Sequence, residues 1–228
     1  MTSASVENYL KAIYRLQGDG DSRVKTKEIA DRLDLALPSV TSMLKALADQ
    51  DYVNYIPYQG VRLSEPGRLA ALRVIRKHRL IELFLMETLG MNWSEVHDEA
   101  ELLEHAMSEK LTDRIDAWLG YPTLDPHGDP IPTREGVMPE HGGRGLHEVA
   151  RGEQVVIRRV LTQDHEFLTY LHQKGLVLDA LLDVVERAPF DGPITVRVQG
   201  EASPVSLSHA TAGLILVTAS QGEANPTA

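Results

Sequence analysis

The clearest chemistry in this sequence lies in a short stretch where imidazole and carboxylate side chains recur at helical spacing. Residues 97–105 read His-Asp-Glu-Ala-Glu-Leu-Leu-Glu-His. Positions four, seven and eight residues apart share one face of a helix, so the pattern predicts one face made of His97, Glu101, Glu104 and His105. Ionisable groups on a packed face need compensation, and a divalent cation bound by nitrogen and oxygen supplies it. The stretch therefore predicts a metal site.

His78 and Glu82 add two candidate ligands from a preceding helix. They are four residues apart and can face the same cation. For any single residue, the alternative is a solvated or internally satisfied polar group. A metal enzyme is disfavoured, because Glu101 replaces the first His of the zinc-protease motif H-x-x-E-H and the duplicated Glu-x-x-His of a di-iron bundle is missing. We expect a protein that is not an enzyme and assign no catalytic residue.

The first 63 residues have the pattern of a winged helix-turn-helix. Apolar residues at a 3.6-residue period predict a helix near residues 6–16, a second helix capped by Thr26 and a third that begins at Pro38. The strands Tyr52–Tyr55 and Gly60–Leu63 are expected to form a hairpin. Two short helices joined by a tight turn are typical of DNA-binding modules.

The third of these helices is the predicted recognition helix. Residues 36–42 read Ala-Leu-Pro-Ser-Val-Thr-Ser, and small hydroxyl side chains in a first turn can approach base edges and phosphates closely. The alternative is that they only cap a core helix. Nearby basic side chains favour DNA, since lysine and arginine neutralise phosphates. The predicted DNA contacts are Lys27, Ala36, Pro38, Ser39, Thr41, Ser42, Lys45 and Arg62.

The net charge supports this interpretation once it is divided along the chain. The 228 residues carry 33 acidic and 23 basic side chains, and the resulting charge of −10 by itself argues against nucleic acid. Residues 1–80, however, hold 13 basic and 9 acidic side chains, whereas residues 81–120 hold 10 acidic and 2 basic ones. The absence of cysteine excludes thiolate zinc sites and cysteine nucleophiles. With no membrane span or signal peptide expected, we predict a cytoplasmic protein.

The rest of the chain is predicted to contain a helical segment and a small β-rich domain. A helix of about six turns is expected from Ser64 to Gly90, and two further helices before Gly120. The Gly-, Pro- and His-rich residues that follow are typical of a linker. Beyond it, a helix near Glu166–Lys174 and four short strands indicate a small β-barrel. The predicted strands are Gln154–Val160, Ile194–Val198, Val205–Leu207 and Leu214–Thr218.

The order of these elements, together with several motifs, resembles the diphtheria-toxin-repressor family of metal-dependent transcriptional regulators, including its manganese-transport-regulator branch. The resemblance covers almost the whole chain. It is carried by Tyr9-Leu10-x-x-Ile13-Tyr14, Ile29-Ala30-x-x-Leu33, Lys77-His78-Arg79, Val96–Ala100, Glu104-His105 and Pro189–Arg197. It implies a homodimer that binds palindromic double-stranded DNA when loaded with metal, with no membrane partner and no small organic substrate.

The implied fold is mainly α with α+β parts: an N-terminal winged helix-turn-helix, a helical dimerisation domain and a C-terminal SH3-like barrel of the FeoA type. The expected domains are a winged helix at 1–72, a metal-binding and dimerisation domain at 73–125, a linker at 126–146, an SH3-like domain at 147–219 and a disordered tail at 220–228.

The family's metal ligands carry over to named positions of this chain. The implied primary site is Asn8, Glu101, Glu104 and His105, and the implied ancillary site is His78, Glu82 and His97 with Gln163 and Glu166 from the third domain. Iron-type members have Cys at the position of Glu101 and usually Met at that of Asn8. The loss of sulfur favours Mn²⁺, with Fe²⁺ next, and Zn²⁺, Co²⁺ or Ni²⁺ are expected to bind in vitro. Lys11 replaces a second Glu of the compact manganese regulators, so their closely spaced ion pair is not expected.

Three other functions are compatible with parts of the sequence. A winged-helix regulator can sense an organic ligand and use the His/Glu stripe as a buried polar network. A metallohydrolase needs an open coordination position and a general base, and no such base is identified. A peptide-binding module is disfavoured by an aromatic content of 5%.

Overall fold

The computed structural model describes residues 3–18, 20 and 22–220, which form two compact units. The first unit contains Met1–Ile81, Ala100–Thr123 and Ile131–Pro139, and the second contains Glu82–Glu99, Leu124–Pro130 and Glu140–Ala228. Each unit has its own hydrophobic core. The predicted domain boundaries at 72, 125 and 146 stay predictions.

The first unit begins with a winged helix-turn-helix, as predicted. Its helices are α1 (Ala4–Gln17), α2 (Thr26–Leu33) and α3 (Leu37–Asp49). The antiparallel strands β1 (Val53–Ile56) and β2 (Gly60–Leu63) follow, with β1 starting one residue later than predicted.

The residue that caps α2 differs from the predicted one. Thr26 is the first helical residue, and Lys25 occupies the N-cap. The backbone N–H of Lys25 donates to Glu28 Oε2 at 2.6 Å, so the start of the helix is stabilised by the carboxylate of a capping box and not by the Thr26 hydroxyl.

Apolar side chains at helical spacing fix the orientation of these three helices. Because each helix turns one apolar stripe inward, the opposite face of α3 is left exposed. Its exposed side chains include those of Pro38, Ser39, Ser42 and Lys45. The buried residues of the unit's core are Tyr9, Leu10, Ile13, Val24, Ile29, Ala30, Val40, Leu44, Leu47, Val53, Val61 and Ala71.

Three further helices lie between the hairpin and residue 120. They are α4 (Glu65–Leu89), α5 (Val96–Leu103) and α6 (Glu109–Trp118), and α4 has 25 residues, about seven turns rather than the predicted six. No helix in the described part of the chain is long and apolar enough to cross a bilayer. The division between the two units falls within α4, after Ile81, and again within α5, after Glu99.

The prediction of one continuous helical face from residue 97 to 105 is wrong at its C-terminal end. α5 ends at Leu103. The backbone N–H of Glu104 still donates to Ala100 O at 2.9 Å, but those of Ala106 and Met107 both donate to Leu103 O, which closes a turn. The last two candidate ligands therefore lie on a turn just after the helix.

The second unit is built on a six-stranded antiparallel sheet with the order β3-β8-β4-β5-β6-β7. The strands are β3 (Arg144–Gly145), β4 (Gln154–Val160), β5 (Leu181–Arg187), β6 (Ile194–Val198), β7 (Val205–Leu207) and β8 (Ile215–Ala219). The helix α7 (His165–Gln173) lies between β4 and β5 in the chain, and α8 (His209–Gly213) lies between β7 and β8. The prediction of an SH3-like domain omits β5, although its alternation of buried Leu182 and Val184 with exposed Asp183 is a strand signal.

The segment predicted to be a linker contains a buried turn. Residues 125–128 and 130–132 are buried, and the backbone N–H of Val160 donates to His127 O at 2.9 Å. Gly128 has a φ of +82°, and a Cβ atom there would lie 2.0 Å from Arg158 O, so only glycine fits. Of the predicted disordered tail, Ser220 donates from its backbone N–H to Gln154 O, and residues 221–228 lie outside the described residues.

A test of the first unit's packing is available at Gly67 of α4, where a Cβ atom would lie 1.9 Å from Tyr52 O. We expect Gly67→Ala to lower the free energy of unfolding by about 1–3 kcal/mol, because helix or hairpin backbone must move. At Gly20 a Cβ atom would meet nothing closer than 3.8 Å, so Gly20→Ala is the control. Urea denaturation measures both, and equal stability of the two variants contradicts the prediction.

Candidate metal centre

Three predicted ligands meet in the first unit between α1 and the turn that follows α5. His105 Nε2 lies 2.8 Å from Asn8 Oδ1 and 3.3 Å from Glu104 Oε1. Asn8 is half-buried in the first half of α1, while the other two are adjacent in the chain. Two parts of the unit that are almost 100 residues apart in sequence thus place oxygen and nitrogen donors together.

Glu104 is the centre of this group and is fully buried. Its Oε1 accepts from Lys11 Nζ at 2.6 Å, and its Oε2 lies 2.7 Å from His78 Nδ1. Lys11 also donates to Glu101 Oε1 at 2.8 Å. The carboxylate therefore has positive or hydrogen-donating groups on both of its oxygens, which a buried charge requires.

Glu7 orients the imidazole of His105. Glu7 Oε2 lies 2.6 Å from His105 Nδ1, on the opposite side of the ring from Asn8. A carboxylate on one ring nitrogen keeps the proton there and directs the lone pair of the other nitrogen outward, as carboxylates behind metal-binding histidines do. Glu7 and Lys11 were not predicted as partners of these residues, because the family resemblance implied only Asn8 of α1 as a ligand and considered Lys11 only as the replacement of a ligand glutamate.

The donor set fits a divalent cation. For bonds of about 2.1 Å, adjacent ligands of an octahedral ion are roughly 3 Å apart, the spacing seen between His105 Nε2 and its two oxygen neighbours. Oxygen and imidazole ligands without sulfur suit ions such as Mn²⁺ and Fe²⁺. Burial raises the pKa of the neighbouring Tyr9 hydroxyl, so this side chain stays neutral and is not an anionic ligand.

A second group of candidate ligands lies in the second unit around Glu82. His97 Nδ1 lies 3.1 Å from Glu82 Oε1, and Gln163 Nε2 donates to the same oxygen at 3.4 Å. The structure thus brings three members of the predicted ancillary set together. Glu166 is exposed on the first turn of α7, and no described contact joins it to Glu82. His78 belongs to the first unit, where it contacts Glu104.

Asp125 and His127 extend this second group, and the sequence interpretation missed both. Their ligand atoms and those of Glu82 lie within 4.8 Å of one another, and all three residues are buried. His127 Nε2 lies 2.8 Å from Trp93 O, which can only accept, so this nitrogen carries the proton. His127 Nδ1 is buried, has no hydrogen-bond partner and lies 3.9 Å from Glu82 Oε2. A lone pair beside carboxylates is a chemical environment for a cation.

Asp125 and His127 were hidden by the composition of their segment. Asp125-Pro-His-Gly128 lies in a stretch whose Gly and Pro content is typical of a solvated linker. An acid and a histidine two residues apart beside a glycine were the available signal.

The predicted DNA contacts lie on α2, on α3 or at its N-cap, and on the hairpin. Ala36 is the N-cap of α3, and Pro38, Ser39, Thr41 and Ser42 lie in the following turn and a half. The Thr41 hydroxyl donates to Leu37 O at 2.9 Å, so it is held against the helix. The remaining predicted contacts are the exposed Lys27 and Lys45 and the half-buried Arg62 of β2.

Comparisons with known proteins agree with this architecture. Residues 1–61 match the iron dependent repressor N-terminal DNA binding domain, residues 64–133 match the iron dependent repressor metal binding and dimerisation domain, and residues 144–219 match the FeoA domain. The iron-dependent repressor IdeR of Mycobacterium tuberculosis is 35% identical over 225 residues, which cover 93% of this chain and 96% of that protein. This chain belongs to the iron-dependent repressor family. Its members are transcriptional repressors and not enzymes, so both the predicted resemblance and the predicted lack of enzyme activity are confirmed.

Solved structures of repressors extend the comparison. A manganese-dependent transcriptional repressor in complex with manganese is 39% identical, with a TM-score of 0.85 over 94% of this chain and 99% of that chain. ScaR with bound Zn²⁺ is 31% identical, with a TM-score of 0.76 over 94% of this chain and 99% of that chain. The predicted fold class is therefore confirmed.

The orientation of His105 by Glu7 can be tested directly. We expect Glu7→Gln to weaken Mn²⁺ binding to the DNA-free protein by about 10- to 100-fold, because the neutral amide no longer fixes the ring proton. Isothermal titration calorimetry measures the affinity. Asp31→Asn removes an exposed acid from α2 and is the charge-matched control. Equal Mn²⁺ affinities for wild type and Glu7→Gln would assign Glu7 no part in the site.

Proposed function

We propose that this protein is a Mn²⁺- or Fe²⁺-dependent transcriptional repressor of metal-homeostasis genes that binds palindromic operators as a homodimer. One observation carries the proposal. His105 Nε2 of the dimerisation domain lies 2.8 Å from Asn8 Oδ1 of the DNA-binding helices and 3.3 Å from Glu104 Oε1. A divalent cation bound there would have ligands from both the DNA-binding helices and the dimerisation domain.

The proposed switch is a shift between two populations of the DNA-binding helices. Asn8 lies on α1, which packs against α2 and the recognition helix α3 through the core. When Asn8 and His105 hold the same ion, α1 is restrained and the recognition helix has one preferred orientation. Typical coupling energies of about 1–3 kcal/mol are enough for such a switch. A regulator that acts on chromosomal DNA is also expected in the cytoplasm.

The choice of metal follows from the ligand types. Asn8, Glu104 and His105 offer oxygen and imidazole nitrogen, and the sequence has no cysteine to favour softer ions. We propose Mn²⁺ as the physiological ion and Fe²⁺ as the alternative. The similar structures with manganese and zinc support a site of this type without deciding between ions.

An exposed apolar surface in the first unit supports the homodimer. Large contiguous apolar patches on a protein surface usually mark an interface. In the part of the first unit that matches the dimerisation domain, the exposed large apolar side chains among the described residues are Leu102, Leu103, Leu111, Trp118 and Tyr121. Two copies related by a two-fold axis would present two recognition helices to a palindrome, with half-sites about 34–36 Å apart.

We further propose a second cation in the second unit, held by Glu82, Asp125 and His127 with His97 alongside. The buried lone pair of His127 Nδ1 and two neighbouring carboxylates support it. This ligand set adds Asp125 and His127 to members of the set implied by the family resemblance, of which Glu166 is exposed.

The proposed activating site predicts that Glu104→Gln abolishes metal-dependent DNA binding. Fluorescence anisotropy with the promoter of a candidate metal transporter, at a stated salt concentration, compares Mn²⁺, Fe²⁺, Zn²⁺ and Co²⁺ at equal free concentration. Glu99→Gln, which neutralises an exposed acid of α5, is the matched control and should respond like wild type. Metal-dependent binding that survives Glu104→Gln would refute the assignment, and a wild type that binds DNA equally well without metal would favour an organic effector.

The second site predicts that His127→Gln lowers the number of bound Mn²⁺ ions per chain from two to one. Mn²⁺ titration followed by electron paramagnetic resonance counts the ions. The Trp93 ring stacks on His127 at 5.8 Å, so its fluorescence should report filling of this site in wild type only. His209→Gln changes a histidine elsewhere in the second unit and serves as the control. Two ions bound to His127→Gln would contradict the prediction.

A further inference from the structure

Lys11 is a buried cation within the first group of ligands, and the proposed function gives it no role. It lies on α1 one turn after Asn8, and its side chain is 6% exposed. Its Nζ contacts Glu101 Oε1 at 2.8 Å and Glu104 Oε1 at 2.6 Å. A lysine is rarely buried unless its charge is paired, and the two carboxylates provide that pairing for Lys11.

These contacts join two distant parts of the chain directly, side chain to side chain. Lys11 belongs to the helix bundle that carries the recognition helix, whereas Glu104 follows α5. The same two parts are joined by the pair of Asn8 and His105 at 2.8 Å. A salt bridge therefore runs parallel to the proposed metal bridge, from the same helix to the same turn.

The ammonium group also opposes a cation at the adjacent site. Glu104 Oε1 accepts from Lys11 Nζ and lies 3.3 Å from His105 Nε2, so one oxygen serves both the ammonium and the proposed ligand set. A divalent ion between Glu104 and His105 would either share this oxygen with the Lys11 ammonium group or displace the ammonium group from it. Either event costs free energy, because like charges at this range repel strongly inside a protein.

We propose that Lys11 is a resident counter-cation with two opposite effects on the switch. It lowers the affinity of the site formed by Asn8, Glu104 and His105 for divalent ions, and it holds α1 against the turn after α5 in the metal-free protein. Lys11 thereby raises the metal concentration needed for activation and gives the metal-free protein a residual affinity for DNA. This proposal rests on the proposed function, since it concerns the same site.

Replacing Lys11 should therefore move two measurements in opposite directions. We expect Lys11→Met to bind Mn²⁺ about tenfold more tightly in the absence of DNA, and to bind the operator about threefold more weakly in the presence of a chelator. Isothermal titration calorimetry gives the first value and fluorescence anisotropy gives the second. A purely structural role would not tighten Mn²⁺ binding.

Arg15→Met is the matched control. It removes one positive charge from the same helix, one turn further on, and should change neither value beyond the general effect of charge on DNA binding. Thermal unfolding of the metal-free variants checks their folding. If Lys11→Met does not fold, Lys11→Gln decides the question, because the amide keeps a hydrogen-bond donor but not the charge.

The outcomes separate this proposal from the proposed function. Unchanged or weaker Mn²⁺ binding by the folded Lys11 variant overturns the first effect, and unchanged metal-free DNA binding overturns the second. If Glu104→Gln abolishes Mn²⁺ binding at this site while Lys11→Met leaves it unaltered, only the role of Lys11 is refuted. If Glu104→Gln binds Mn²⁺ like wild type, the site itself is misassigned and both proposals fail.

Discussion

The burial of the Glu104 carboxylate is the constraint on which the first unit depends. A fully buried charge must be compensated, and loss of one partner of such a pair typically costs about 3–5 kcal/mol. The compensation comes from Lys11 of α1, His78 of α4 and the adjacent His105. One side chain thereby connects the DNA-binding helices, the long helix and the turn after α5. The position of the recognition helix depends on this connection through the packing of α1.

The second unit repeats the same physical arrangement with different partners. Glu82 is buried, and His97 and Gln163 approach one of its oxygens. His127 lies on the side of the other oxygen. Both acids thus have imidazoles as neighbours, the side chain that best combines burial with a lone pair for an ion. In this member of a metal-responsive family, Glu104 and Glu82 are buried carboxylates that belong to different units, and each has its own set of nitrogen neighbours.

Local patterns were sufficient for most of the fold but not for the sites. The strands β4, β6 and β7 follow from alternation of apolar residues and begin and end where predicted. Glu104 and His105 were found by helical spacing, although they lie on a turn, because a turn that continues a helix keeps nearly the same spacing. The burial of Lys11 and its salt bridges could not be predicted, since its partners are about 90 residues away and a lysine among apolar residues usually indicates a solvated face. His127 was missed because a high Gly and Pro content predicts turns and loops but does not show whether they are buried.

The turn at Asp125 limits how this part of the sequence can change. Asp125 Oδ1 accepts from the backbone N–H groups of His127 and Asp129, at 2.8 and 2.9 Å, so the same side chain builds the turn and belongs to the buried group around Glu82. A glutamate would keep the charge, but its longer side chain would not close the turn in the same way. An asparagine would keep the turn but not the charge. If the proposed ion binds there, one residue serves both the turn and the ion, and a substitution of Asp125 is expected to change at least one of the two.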